Sequence, residues 1–260
     1  MNPNVYLMLF KSEIFIAFKN FVRFPLNSIV SIVLLSLVFI TIYYSSSAMS
    51  GSSDLGQDKL AIGIATYFAW TLAITSFGSV ASSIEESARL GTLERVVVSG
   101  CKYELLALFK SVVTTLIALL NNLVIIIFLS VWLGVSIPLK LQSLPWISLL
   151  MCSAIGVGLI IGSVAILTKQ SNVITNMTQF LLLPLFFLQS TMTSNVDISW
   201  VWVVPAILPL KGLLLSVEQG NYGSIFPVAL AISLAWLIVG YIAIHISIHL
   251  AKVRGLLYQT

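Results

Sequence analysis

The sequence predicts an all-α membrane protein with six transmembrane helices, and three observations carry that expectation. Only 8% of the 260 residues are charged and 58% are hydrophobic, where soluble domains carry about 25% charged residues. The charges cluster, leaving uncharged stretches at 26–53, 60–84, 111–139, 141–168, 170–196 and 219–251. Each is long enough for the roughly 20 residues that cross about 30 Å of hydrocarbon. The stretches are continuously apolar rather than alternating. That selects helices over a barrel, the two architectures that satisfy backbone hydrogen bonds in lipid. A water-soluble globule is excluded.

The elements follow in chain order as one membrane domain over 1–260. An amphipathic helix at 5–24 comes first. Phe10, Ile14, Ala17, Phe18 and Phe21 recur at three- and four-residue spacing, with Lys11, Ser12, Lys19, Asn20 and Arg23 opposite, the pattern of a helix lying in the membrane interface. Pro25 favours a break before the first span, because proline disfavours helix in the residue before it. Spans are expected at 26–46, 60–84, 104–133, 144–168, 171–190 and 225–250, and a helix at 85–99 on the charged connection. The segment 198–218, interrupted by Pro205 and Pro209, contains no uncharged stretch long enough to cross and is expected to be re-entrant. Tyr43–Ala48 offers no clean small-residue cleavage site after the first span, so an uncleaved leader is expected. Cys101 and Cys152 have no partner spacing that implies a disulfide or metal.

Six spans with both termini on one side divide the basic residues unevenly. Lys11, Lys19, Arg23, Arg89, Arg95, Lys102, Lys110, Lys169, Lys252 and Arg254 fall on the terminal side, and only Lys59, Lys140 and Lys211 opposite. The positive-inside rule then places both termini in the cytoplasm. The net charge of +4 reflects this orientation, and no nucleic-acid partner is expected.

The densest polar segment is Ile84–Lys110, on the cytoplasmic side. Glu85 and Arg89 are four apart in the helix-supporting order, Leu90-Gly91 gives a turn, Thr92 is placed to cap a restart, and Ser99-Gly100 offers a stop. A short helix held there between two long spans transmits force to both. The Glu85-Glu86 pair, then Gly91-Thr92-Leu93-Glu94, then Ser99-Gly100 resembles the membrane subunits of ATP-binding-cassette exporters of the second type, in their drug-export branch. Gly100 departs from the pattern, where many relatives carry proline.

The resemblance implies that Glu85, Glu86, Arg89, Leu90, Gly91, Thr92, Leu93, Glu94 and Arg95 form a coupling helix docking on a separate ATPase subunit, which would hold ATP and Mg. It implies a second permease copy, as a homodimer, or a paralogue. Pro205 and Pro209 would belong to an outer gate, and a hydrophobic or amphiphilic substrate such as a drug, antibiotic or lipid would cross a bacterial cytoplasmic membrane. A carrier of lipid-linked glycan is the alternative within the family. The chain has no Gly-Lys dipeptide with which to build a phosphate-binding loop of its own. No cofactor, metal or catalytic residue is therefore expected in it. Gly158 and Gly162 form a small-residue pair four apart that permits close helix approach, within a subunit or between two.

Rival chemistries fit less well. Glu85, Glu86 and Arg89 approach the motif of intramembrane metalloproteases, but the arginine follows the pair after two residues rather than three. His245 and His249 have helical spacing suited to a metal, yet lie near the end of the last span beside Lys252 and Arg254. Ion coupling would require charges within spans, and none lies centrally. Neutral polar groups remain: Thr71 and Thr75 in the second span, and Asn172, Asn176 and Gln179 along the fifth. They either bond between helices or, as the resemblance implies, line a substrate path.

Overall fold

The computed structural model describes residues 3–23, 25–50, 57–99, 102–136, 139, 141–168, 170–191, 203–218 and 225–253. Among them every regular element is helical: α1 (Pro3–Arg23), α2 (Pro25–Ser50), α3 (Gln57–Arg89), α4 (Thr92–Val98), α5 (Tyr103–Leu133), a 3-10 turn at Leu141–Ser143, α6 (Leu144–Thr168), α7 (Asn172–Thr191), α8 (Ile207–Glu218) and α9 (Phe226–Val253). Of the positions singled out above, Gly100, Cys101, Lys140, Lys169 and Arg254 lie outside the described residues.

Four apolar stretches are long enough to cross a membrane among the described residues: Leu60–Arg89, Tyr103–Leu133, Leu141–Thr168 and Phe226–Val253. The chain is therefore a helical membrane protein. The first and fifth expected spans fold as the helices α2 and α7.

Burial ranks the helices. The most apolar windows of α3 and α6 are each 78% buried, against 39% in α5 and 22% in α9. Thus α3 and α6 form the centre, and α5 and α9 lie outside them, turning apolar side chains such as Val124, Ile127, Val228 and Ile242 outward. Lipid tails are as apolar as leucine, so burial of apolar surface does not itself draw membrane helices together. Close contact does, and small residues provide it here.

Gly158 and Gly162 of α6 face α3. A Cβ at Gly158 would lie 2.7 Å from the Val80 Cβ, and one at Gly162 would strike the Ile84 side chain. The alternatives for this pair resolve to a contact within the chain. On the far face of α6, a Cβ at Gly156 would lie 2.5 Å from the Trp236 carbonyl, and one at Gly240 of α9 would lie 2.5 Å from the Gly156 carbonyl oxygen. The two backbones touch at these glycines.

At the end opposite the charged connection, α8 packs against α3 and α6 through buried Ile207, Leu208, Leu210, Leu213 and Leu214. Its 12 residues rise about 18 Å at 1.5 Å per residue, too little to cross. Pro209 lies buried in its first turn, where a missing N–H costs nothing. The turn before α8 is fastened by the Trp236 indole, whose Nε1 donates to the Val203 carbonyl at 2.9 Å. Ala206 holds a φ of 70° there, a left-handed conformation that is uncommon outside glycine. Positions 198–202 of the expected re-entrant segment lie outside the described residues.

The charged connection differs from its expected form. The expected turn at Leu90-Gly91 and restart at Thr92 are present, but of the helix expected over 85–99 the first part belongs to α3, which continues through Arg89, and α4 covers only Thr92–Val98. Nothing in Glu85-Glu86-Ser87-Ala88-Arg89 breaks a helix, and Gly91, with φ of 66°, makes the first turn a left-handed residue permits. At 33 residues, α3 rises about 50 Å, well beyond a 30 Å hydrocarbon core. Thr92 does not cap α4 as anticipated. Its hydroxyl donates back to the Ser87 carbonyl at 3.0 Å, satisfying a C-terminal acceptor of α3 instead.

The α6–α9 contact generates a direct test. Gly156→Ala or Gly240→Ala should lower the thermal midpoint of the detergent-purified protein by several degrees, since overpacking costs about 1–3 kcal/mol. Gly63→Ala, where a Cβ meets nothing within 4 Å, should leave the midpoint unchanged or raise it. Equal shifts for all three would contradict the contact.

Candidate functional site

The polar side chains of this apolar chain gather where α3, α5 and α7 meet beside the connection. Glu85 is the most constrained. Its residue is 8% exposed, and its Oε2 accepts hydrogen bonds from the Ser171 backbone N–H at 3.0 Å and from the Ser171 hydroxyl. Ser171 immediately precedes α7, and its carbonyl accepts that helix's first bond, from the Thr175 N–H at 2.9 Å. A carboxylate from α3 thus sits at the positive N-terminal end of α7. The Arg89 guanidinium lies 3.9 Å from the other carboxylate oxygen but is 68% exposed, so water screens that pair.

Lys110 reaches from α5 to the same end of α3. Its Nζ donates to the Ser83 carbonyl and the Ser87 hydroxyl, both at 3.2 Å. A cation is well placed among the last carbonyls of a helix. From the other side α1 docks on α5, with the Phe10 and Phe109 rings 5.5 Å apart. Of its expected apolar face, Ile14 and Phe18 remain exposed. On the far side of α5, the Glu104 carboxylate meets the His245 Nδ1 of α9 at 2.8 Å.

These elements border an open cavity of about 920 Å³ between α1, α3, α5 and the start of α7. Ser79, Ser82, Ser83 and Glu86 line it from α3 and Lys110, Thr114 and Asn121 from α5, each set at the spacings of a single helix face. Glu13 and Ile16 contribute from α1, and Asn172 from α7.

The anticipated residues occupy three environments. Glu85, Glu86, Arg89 and Leu90 border the cavity, together with Asn172. Leu93 anchors α4 inward at 1% exposure, while Leu90 and Val98 stand 64% and 73% exposed at either end. Thr92 and Arg95 are also exposed, and Gly91 and Glu94 are half-buried. The five residues named for a substrate path do not converge. Thr71 is fully buried and its hydroxyl donates to the Tyr67 and Phe68 carbonyls of its own helix. Thr75 accepts a 2.9 Å bond from the Asn122 amide of α5, the interhelical bond weighed as the alternative. Gln179 is half-buried, its amide near Gly78 of α3. Asn176 is exposed on another face of α7, beside Val173, Met177, Phe180 and Leu181.

Ser171, Lys110 and Glu13 were not anticipated at a site. Ser171 had a legible local signal, a serine at the cap position before an apolar helix. Its partner lies 86 positions away, which no local pattern reveals. No known family, curated protein or solved structure matches this chain.

The capping contact should be visible in amide exchange. Charged hydrogen bonds are worth about 1.5–3 kcal/mol, so Glu85→Ala should speed exchange of the amides at the start of α7 at least tenfold, with little change in α9. Glu86→Gln should leave both unchanged. Unaltered protection at Ser171 in Glu85→Ala would refute the contact.

Proposed function

We propose that the chain is the permease subunit of an ATP-driven ABC exporter, taking its energy from a separate ATPase subunit that grips the α3–α4–α5 connection. The observation supporting this reading is the form of the connection. The helix α4 is pinned inward by Leu93, tied to α3 by Thr92, and flanked by exposed Leu90 and Val98. Two apolar side chains standing out of an otherwise polar surface suit a protein contact. Force applied to α4 would reach the end of α3, and through Glu85 it would reach α7.

In this reading all six apolar helices cross the membrane, both termini lie in the cytoplasm, and a second copy or paralogue completes the transporter. The cargo is a hydrophobic or amphiphilic molecule. The segment around Pro205 and Pro209 closes the outer end, where α8 is packed against the bundle and held by Trp236. Hydrolysis of ATP belongs to the partner, and this chain supplies no step of it.

Photo-crosslinking tests the proposal. With a photoreactive residue replacing Leu90 or Val98 in the producing cell, the adduct should contain a polypeptide with a phosphate-binding Gly-rich loop. The same residue at Ile242, on the outer face of α9, should give no such adduct. Arg89→Glu or Glu94→Lys should abolish export while leaving membrane insertion intact. Adducts at Leu90 and Val98 that contain no ATPase, or normal export by either charge-reversal variant, would overturn the proposal.

A further inference from the structure

We infer that the cavity between α1, α3 and α5 binds the headgroup of a zwitterionic amphiphile, its anionic group on Lys110 and its ammonium on Glu86 and Glu13. The inference rests on the membrane reading of the helices and names the class of molecule that the site takes.

Charge accounting leads to this class. Within the cavity Glu85 is occupied by Ser171 and Arg89. Among the described residues, the Glu13 and Glu86 carboxylates have no hydrogen bond or ion pair, and the Lys110 ammonium bonds only to neutral acceptors. An ammonium has three N–H donors, so Lys110 keeps one to offer. Glu86 is exposed and Glu13 and Lys110 are half-buried, and each gains from a partner of opposite charge. A ligand carrying both charges satisfies both walls. A bare cation would leave Lys110 unpaired and be repelled by it, and a bare anion would meet two carboxylates.

The size and depth of the cavity select an amphiphile. Its volume of about 920 Å³ is near the upper end of small-molecule sites. Glu86 and Lys110 lie at the end nearer the connection. Asn121, three helical turns further along α5, has a buried side-chain oxygen with no hydrogen-bond partner among the described residues. Between them Ile16 and Ala17 of α1 and Val113 and Ile117 of α5 form an apolar wall. That wall suits the glycerol end and first methylenes of a chain, and exposed Ile14 and Phe18 on α1 carry the apolar surface outward to the bilayer.

The test uses the full-length protein, purified in non-ionic detergent without any ATPase and titrated in native mass spectrometry. The probes are lysophosphatidylethanolamine, the anionic lysophosphatidylglycerol, and chain-free glycerophosphoethanolamine. The zwitterionic lysolipid should bind about tenfold more tightly than the anionic one, the value of one charge-assisted hydrogen bond. The double variant Glu13→Gln with Glu86→Gln should erase that preference. Lys110→Gln should weaken both lysolipids about tenfold, and Lys110→Arg should restore them. The Glu86 side chain is exposed and bonds to nothing described, so Glu86→Gln alone, which should reduce the preference, decides the matter if Lys110→Gln fails to fold. Tighter binding of the anionic probe, a preference unchanged by Glu86→Gln, or equal binding of glycerophosphoethanolamine would each overturn the inference. These readouts involve no ATPase, so the lipid site can fail while crosslinking at α4 succeeds, and the reverse.

Discussion

The buried carboxylate of Glu85 joins α3 to the start of α7, two helices that also meet where Thr175 and Gln179 lie against Gly78. In the lipid-facing parts of such a bundle van der Waals contact holds helices together but sets their axial register weakly. A charge-assisted bond from α3 to the first residue before α7 sets it strongly. It also satisfies the α7 N-terminus, whose leading N–H groups have no partners within the helix. The same contact fixes the edge of the polar cavity, because Glu85 and Asn172 both border it. The separation of α4 from α3 by one glycine turn completes the arrangement. In the proposed transporter the connection would move with the end of α3, and α7 with Glu85.

Elsewhere the protein combines close backbone approach with hydrogen bonds between helices. Glycines bring α6 against α3 on one face and α9 on the other. Where small residues are lacking, polar side chains cross between helices: Asn122 to Thr75, the Tyr67 hydroxyl to the Leu35 carbonyl, and Ser143 to Ser216 at 2.9 Å. Such bonds are worth about 0.6–2 kcal/mol each in membranes. They account for Thr75 without a substrate. Thr71 needs none either, since its hydroxyl is spent on its own helix. The polar groups left for a ligand collect instead at the connection end of α3 and α5, where charge can remain near water.

The helices were legible in the sequence because charge and proline punctuate it. Residues 144–168 fold with the bounds the sequence indicates, while Phe24, where a break before Pro25 is expected, lies outside the described residues. The extension of α3 through Arg89 is not legible in the sequence, because an end of hydrophobicity is not an end of helix. Glu85 to Arg89 loses the first without the second. Glu85 and Arg89 were seen as a pair on one helix, whereas the stronger partner of Glu85 is Ser171, reached only through tertiary folding. Asn172, Asn176 and Gln179 share one side of a helical wheel, yet the neighbours of α7 divide that side between the cavity, an exposed face and α3. Spacing gives a face and cannot say what covers it.

The central claim is that α3 and α7 are held as one unit through Glu85. It is tested most directly by the distance distribution between spin labels at Ser82 on α3 and Val173 on α7, both exposed, in protein reconstituted into lipid. The account predicts one narrow distribution in the parent protein and a broadened or displaced one in Glu85→Ala. Identical distributions in the two proteins would contradict it.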